Sequence, residues 1–243
     1  MDLSIVIPEF NEAQKIARDV EAAGAFLVEH GLTGEIIVVD DGSSDNSADL
    51  AEAAPVPAGV RRQVIRCPEN RGKGHAVRTG MLQTRGEVTL FADAGLCIPF
   101  DNALLGMALI QKDGYDIAHG SRRLPDSVIT RPKSLYRRLL TRVFRWVMPC
   151  LSGTPRSLSD TQCGFKVYRG DVGRELYSRC VCNGFLFDVE TVLRAMRAGW
   201  RIAEFPVEWH SDPDSRLHPA RSVPRLIGEL RSIRKALREE RAR

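Results

Sequence analysis

No apolar run in this 243-residue chain approaches the ~18–20 residues that a membrane-spanning helix needs. The first apolar stretch, Leu3 to Ile7, follows Asp2 and stops at Pro8, too short for the apolar region of a secretory signal. No G-x-G-x-x-G follows it, and Asn70-Arg-Gly-Lys-Gly74 is not a Walker A loop, so dinucleotide and P-loop readings are poor. The six cysteines lack zinc spacing, since Cys180-Val-Cys182 has neither a second pair nor histidines beside it. Buried free thiols are the expectation, and a cytoplasmic address with them. Repeats and low-complexity tracts are missing. Acids also vanish over one interval, Arg131 to Ser159, which holds seven Arg or Lys.

What remains is ordinary globular material, 43% hydrophobic and 27% charged, enough for one large α/β domain or two small ones. Leu3–Pro8, Glu35–Asp40, Arg62–Cys67, Val88–Ala92 and Asp116–Gly120 read as strands. Glu35-Ile-Ile-Val-Val-Asp40 is continuously apolar, the kind of strand buried on both faces of a parallel sheet. Helices are expected from an Asn11 N-cap to about His30, from His75 to Thr84 and from Phe100 to Lys112. Strands alternating with helices over short connections predict a doubly wound, mostly parallel sheet. Beyond Ser121 the regularity breaks. Leu135, Leu139, Val143, Trp146 and Val147 share one helical face, with Arg137, Arg138, Arg142 and Arg145 on the other. Helices are read from Asp171 to about Cys180 and from Phe185 to Gly199, and an alternating strand from Arg201 to Trp209. A basic helix after Pro224 carries a stripe of Leu226, Ile227, Leu230, Ile233 and Leu237.

The chemistry sits where strands end, the edge at which open α/β sheets gather ligands. Glu12 follows the first strand, Asp40 and Asp41 the second, and Asp93 the fourth. A shared edge brings them into one cleft. Each acid alone is more often a cap or a solvated turn; their convergence is the functional signal. A carboxylate-rich cleft suits base, ribose and diphosphate recognition, with Lys73 and Arg122 available to neutralise phosphate. Glu9 reads as a solvated residue beside it.

Four ordered motifs carry a resemblance: Ile5-Val-Ile-Pro-Glu-Phe-Asn-Glu12, Val38-Val-Asp-Asp-Gly-Ser-Ser-Asp45, Asn70-Arg-Gly-Lys-Gly74 and Asp160-Thr-Gln-Cys-Gly-Phe-Lys166. Together they resemble family 2 glycosyltransferases of the GT-A fold, nearest to the dolichyl- or polyprenyl-phosphate mannosyl and glucosyl synthases. The likeness runs from about Leu3 to Arg216. It implies a GT-A domain over 1–219. The charge pattern itself offers an interfacial, acceptor-side helix near 131–150, or a solvated helix packed on the sheet, and a basic amphipathic helix over 220–243 that either docks on the domain or serves as a membrane foot. The resemblance further implies a nucleotide pocket from Pro8, Phe10, Glu12, Val39 and Asp41, and a phosphate-facing Arg122. Asp160 and Gln162 match the acceptor-side motif, and Trp209-His210 through Arg216 a mobile loop that closes over the donor. Asp93 matches the first acid of the metal-binding D-x-D motif, but the second is Gly95 and the next ligand position is Cys97. Neither replaces a hard oxygen ligand for Mg²⁺ or Mn²⁺. The expectation is therefore a weak ion bound only with the nucleotide-sugar, or a metal-independent mechanism, and no tight metal site in the protein alone.

The activity implied is inverting transfer of a sugar from a GDP- or UDP-hexose to a polyprenyl phosphate. Transfer to a glycan or small-molecule alcohol, with Asp160 as general base, and a non-catalytic nucleotide-sugar binder are the alternatives. The basic segments imply a peripheral seat on the cytoplasmic face of an anionic membrane, or a membrane-protein partner; nucleic acid is not expected.

Overall fold

The computed structural model describes residues 1–130, 153–155, 157–210 and 219–241. The amphipathic segment near 131–150 lies outside them, as does Arg216.

Five strands fall where the apolar runs place them: β1 (Leu3–Glu9), β2 (Gly34–Asp40), β3 (Arg61–Arg66), β4 (Val88–Ala92) and β5 (Ile117–Ser121). Short β6 (Val128–Ile129) precedes β7 (Phe165–Arg169), β8 (Ile202–Pro206) and β9 (Glu208–Trp209). The helices are α1 (Ile16–Glu29), α2 (Ser47–Ala53), α3 (Lys73–Met81), α4 (Ala103–Gln111), α5 (Gly170–Arg179), α6 (Phe187–Ala198) and α7 (Pro219–Arg241). A 3₁₀ turn over Phe100–Asn102 leads into α4. The main sheet has the order β3-β2-β1-β4-β7-β5-β8, with β6 and β9 paired in a small parallel ribbon beside it.

Period-2 alternation divides the core. Leu3, Ile5 and Ile7 of β1 join Ile36 and Val38 of β2 on the face covered by α1 and α4. Val6, Ile37 and Val39 face the other way, into the layer of α3, α5, α6 and α7.

Four expectations need correction. Asn11 does not cap α1, because its backbone is left-handed at φ 52° and its side-chain oxygen accepts the Ser44 amide at 2.8 Å. The segment from Arg201 to Trp209 is two strands, broken at Val207. α7 begins before Pro224, and Ile227 of its apolar stripe is 46% exposed while Leu230, Ile233 and Leu237 are buried. The largest omission is β7, which runs antiparallel between β4 and β5 and separates them. Its sequence, Phe-Lys-Val-Tyr-Arg, places a lysine at a core position. Lys166 is fully buried there and donates to Asp188 in the first turn of α6 at 2.6 Å.

Candidate active site

The β1 and β2 carboxyl ends are laced together by their loops. The Asn11 amide donates to Ser43 Oγ and the Glu12 amide to Ser47 Oγ, each at 2.8 Å. Asp40 accepts the Ser43 amide at 2.8 Å, and the Asp41 amide donates to the Glu9 carbonyl at 3.0 Å. Gly42 lets the loops meet: its φ is +74°, and a Cβ there would stand 2.5 Å from the Glu69 backbone.

Glu9 is not solvated. It is 3% exposed beside Asp40, and burial, reinforced by that neighbouring carboxylate, pushes its carboxyl up to about 8. Of the residues expected to line a nucleotide pocket, Pro8 pairs with Val39 in the sheet register. The Val39 side chain points into the core, so only its backbone can face a nucleotide. Phe10 and Glu12 are half-buried, with Glu12 3.5 Å from Lys15.

The Asn70–Gly74 loop joins the two halves of the edge. Asp41 accepts the Arg71 amide at 3.2 Å and the Gly72 amide at 2.7 Å. The next residue, Lys73, reaches Asp93, with Nζ 2.6 Å and 2.7 Å from its two carboxylate oxygens. So the structure does bring Asp41, Lys73 and Asp93 together, through a loop rather than by direct contact between acids. Gly164 of the acceptor-side motif closes over Asp93, whose amide donates to the Gly164 carbonyl at 2.8 Å. A Cβ on Gly164 would lie 1.9 Å from the Asp93 carboxylate, so any side chain there would have to displace that carboxylate.

Around Asp93 the residues do not fit a divalent ion. The one carboxylate is taken by Lys73, and Gly95 and Cys97 offer no oxygen side chain. Gly95 serves a turn instead. Its φ is +101°, its amide donates to Asp19, and its carbonyl accepts Arg18 at 3.2 Å. Burial pushes the Asp19 carboxyl up to about 6. The Cys97 carbonyl accepts the His210 amide at 2.8 Å, tying the loop to the end of β9.

In the motif expected to face an acceptor, Asp160 is 3% exposed and clasped by Arg122, whose Nε and Nη2 donate at 2.6 Å and 2.8 Å. Although burial works against the charged form, the guanidinium holds the Asp160 carboxyl below its ordinary value. Glu204 of β8 accepts the amides of Ser159 and Asp160, and Arg122 lies 5.6 Å from the Trp209 ring centroid. Gln162 turns a buried amide nitrogen inward with no partner among the described residues. His210 is engaged by Thr130 and by Glu208 at 3.3 Å. Sequence reasoning missed Asp19, Glu204 and Asp188, which carry no motif and act from helices or from the middle of a strand.

It also missed a cluster at the β2–β3 edge. Asp41, Cys67 and His75 bring one ligand atom each to within 4.8 Å of one another. The three lie 26 and 8 residues apart along the chain (41 to 67, 67 to 75), a spacing that announces nothing.

The profile of glycosyl transferase family 2 matches residues 4–175. A dolichyl-phosphate beta-glucosyltransferase of Drosophila melanogaster is 34% identical over 232 residues, covering 90% of this chain and 70% of that protein. Its Saccharomyces cerevisiae and Homo sapiens namesakes are 32% and 31% identical, each covering 96% of this chain and 74% of theirs. Among solved structures, glucosyl-3-phosphoglycerate synthase of Mycobacterium tuberculosis with Mn²⁺ and UDP-glucose superposes with a TM-score of 0.69 at 19% identity. That match covers 96% of this chain and 78% of the other. Mannosyl-3-phosphoglycerate synthase of Rubrobacter xylanophilus also gives 0.69 at 19% identity, over 100% and 76% of the two chains. At these identities the structures speak for the fold.

Proposed function

The chain belongs to glycosyl transferase family 2, and on that premise we propose that it is an inverting transferase moving a hexose from a nucleotide-sugar to a polyprenyl phosphate of the dolichyl type. The observation that carries the acceptor assignment is the Arg122–Asp160 clasp. An alcohol acceptor needs a base to take its proton. Asp160 is buried, doubly bonded to a guanidinium and held in its weakly basic form. A phosphate monoester is already an anionic nucleophile and asks for no such base. The names of the relatives, dolichyl-phosphate beta-glucosyltransferases at 31–34% identity, favour the same acceptor and glucose as the sugar.

In this reading the nucleotide sits over the β1 and β2 ends, against Pro8, Phe10, Glu12, the Val39 backbone and Asp41. An acceptor phosphate oxygen attacks the anomeric carbon from the side opposite the diphosphate. The bond from that carbon to the diphosphate breaks, and the electron pair leaves with the nucleoside diphosphate. Lys73, at the junction of the two half-sites, and Arg122 meet the leaving charge, with His210 and Arg216 as the further candidates for that role. Gln162, two residues beyond Asp160, takes part on the acceptor side in this reading. Positioning and electrostatic stabilisation supply the rate. Because one carboxylate paired to Lys73 is a poor metal site, the mechanism runs without a resident Mg²⁺ or Mn²⁺, or with one held mainly by the donor itself.

A lipid acceptor calls for a membrane surface. Among the described residues no helix is long and apolar enough to cross one. α7 packs Leu230, Ile233 and Leu237 on the domain and leaves Arg231, Arg234, Lys235 and Arg238 on its exposed side. That face and the acid-free interval 131–159 suit a peripheral seat on anionic lipid at the cytoplasmic side.

Incubation with UDP-glucose, GDP-mannose and related donors, with polyprenyl phosphate or alcohol acceptors, tests the reading. Glycosylated lipid phosphate is expected. Product with alcohols alone, or donor binding without turnover, would overturn it.

A further inference from the structure

We infer that Asp41, Cys67 and His75 form a binding site for a thiophilic divalent cation of the Zn²⁺ type, separate from the Asp93 position. Three elements meet there. Asp41 follows β2, Cys67 follows β3, and His75 stands in the first turn of α3. Their ligand atoms all lie within 4.8 Å of one another. Tetrahedral zinc with thiolate, imidazole and carboxylate ligands sets its donors about 3.3–3.6 Å apart, from bond lengths near 2.0–2.3 Å. His75 Nδ1 already stands 3.5 Å from Asp41 Oδ1. Small side-chain adjustments bring in the sulfur.

The surroundings are those of a supported site. His75 Nδ1 is buried and makes no hydrogen bond, its contact with Asp41 Oδ1 at 3.5 Å being an ion-pair distance only. The Arg71 and Gly72 amides each donate to one oxygen of the Asp41 carboxylate and fix its orientation. The Cys67 amide is fixed on the Asp40 carbonyl at 2.8 Å. Gly72, at φ +110°, lets the loop turn so that His75 enters from above; a Cβ there would meet the Asn183 carbonyl at 2.5 Å.

The ligand set decides the ion. Sulfur and imidazole with a single carboxylate favour Zn²⁺ or Co²⁺ over Mg²⁺ and Mn²⁺. Binding releases the thiol proton to solvent and leaves a fourth position for water. The site also shares Asp41 with the nucleotide pocket. On the glycosyltransferase reading above, therefore, cation and nucleotide compete, and the ion acts as an inhibitor rather than a cofactor.

The test is Co²⁺ titration of the chelator-treated full-length chain, followed by displacement with Zn²⁺. A thiolate-to-cobalt absorption band and tetrahedral visible bands are expected, lost in Cys67→Ser and kept in Cys97→Ser. His75→Gln should weaken the ion at least tenfold, with circular dichroism confirming the fold. UDP should diminish the band in wild type. The proposal fails if wild type gives no thiolate band or if the band survives Cys67→Ser in folded protein. A band indifferent to saturating nucleotide overturns the inhibitory role. The cobalt spectrum needs no turnover, so loss of the transferase reading would leave the ion site standing, and the reverse.

Discussion

Lys73 and Asp93 form a two-point ion pair at the carboxyl edge of the sheet, with Nζ 2.6 Å and 2.7 Å from the two carboxylate oxygens. A lysine ammonium thus occupies the carboxylate that the sequence resemblance offered as the first acid of a D-x-D motif. Lys73 also lies 5.7 Å from the Phe91 ring centroid, and Lys166 lies at the same distance, so two cations share one aromatic ring. Asp188, bonded to Lys166, adds its field to Lys73.

Lys73→Gln should therefore free the carboxylate and weaken the nucleotide-sugar about tenfold in metal-free buffer, the loss of about one charge-assisted contact. Mn²⁺ affinity should rise in the same variant. Calorimetry with and without Mn²⁺ reads both, and unchanged donor affinity would remove Lys73 from the site.

Gly95→Asp restores the missing motif acid but should not restore a metal site. The turn holds φ at +101°, a conformation that costs a non-glycine residue about 1–3 kcal/mol. A lowered melting midpoint with little gain in Mn²⁺ affinity is expected. Tight Mn²⁺ binding by a fully stable variant would show that the turn relaxes.

Asp160→Asn should lower turnover at least a hundredfold while nucleotide binding persists, because the donor half-site is built on β1, β2 and the Asn70–Gly74 loop. It also leaves the Arg122 guanidinium with a neutral partner, at a cost of about 3 kcal/mol. Loss of nucleotide binding in the folded variant would contradict this division.

Glu9 predicts a pH dependence. Its carboxyl keeps a proton in the folded state up to about 8, against an ordinary value of 4.5. Between those values the folded chain binds more protons than the unfolded one. This contribution to stability is therefore full below pH 4.5 and is lost as pH rises through 8. Glu9→Gln should flatten the slope of melting midpoint against pH across that window. An unchanged slope would mean that the group titrates normally.

Truncation after Val223 removes Leu230, Ile233 and Leu237 from the core. At ~1.5–3 kcal/mol for each buried side chain, the loss is about 5–9 kcal/mol before relaxation. A midpoint lower by ten degrees or more is expected. Arg231→Glu with Arg238→Glu, on the exposed side, should spare the midpoint and weaken binding to anionic liposomes. The same liposome assay tests Arg137→Glu with Arg138→Glu in the segment outside the described residues.

The N-terminal half was legible because its strands are uninterrupted apolar runs and its helices are bounded by glycine or proline. Gly31 and Gly199 end α1 and α6 in left-handed conformations, as their positions suggested. β7 was not legible, since Lys166 reads as a solvated residue until Asp188 is known to face it. The same blindness hid Glu9, whose burial depends on Asp40 and the serine loop rather than on its own neighbours. Site acids at strand ends could be found by position. Their partners could not, because Lys73–Asp93 and Arg122–Asp160 span 20 and 38 residues.

The placement of β7 has a consequence for biosynthesis. β4 and β5 each pair with it and not with each other. A nascent chain that has emerged as far as Ser121 therefore carries two strands awaiting a partner encoded more than forty residues later. The central hydrogen-bond ladders close only after Arg169 leaves the ribosome. A chain interrupted before Phe165 would leave one edge of β4 and both edges of β5 open, since β8 also comes later, a recruiting template for other chains. A stalled or truncated product of this chain should be a chaperone client and an aggregation seed rather than a smaller working domain.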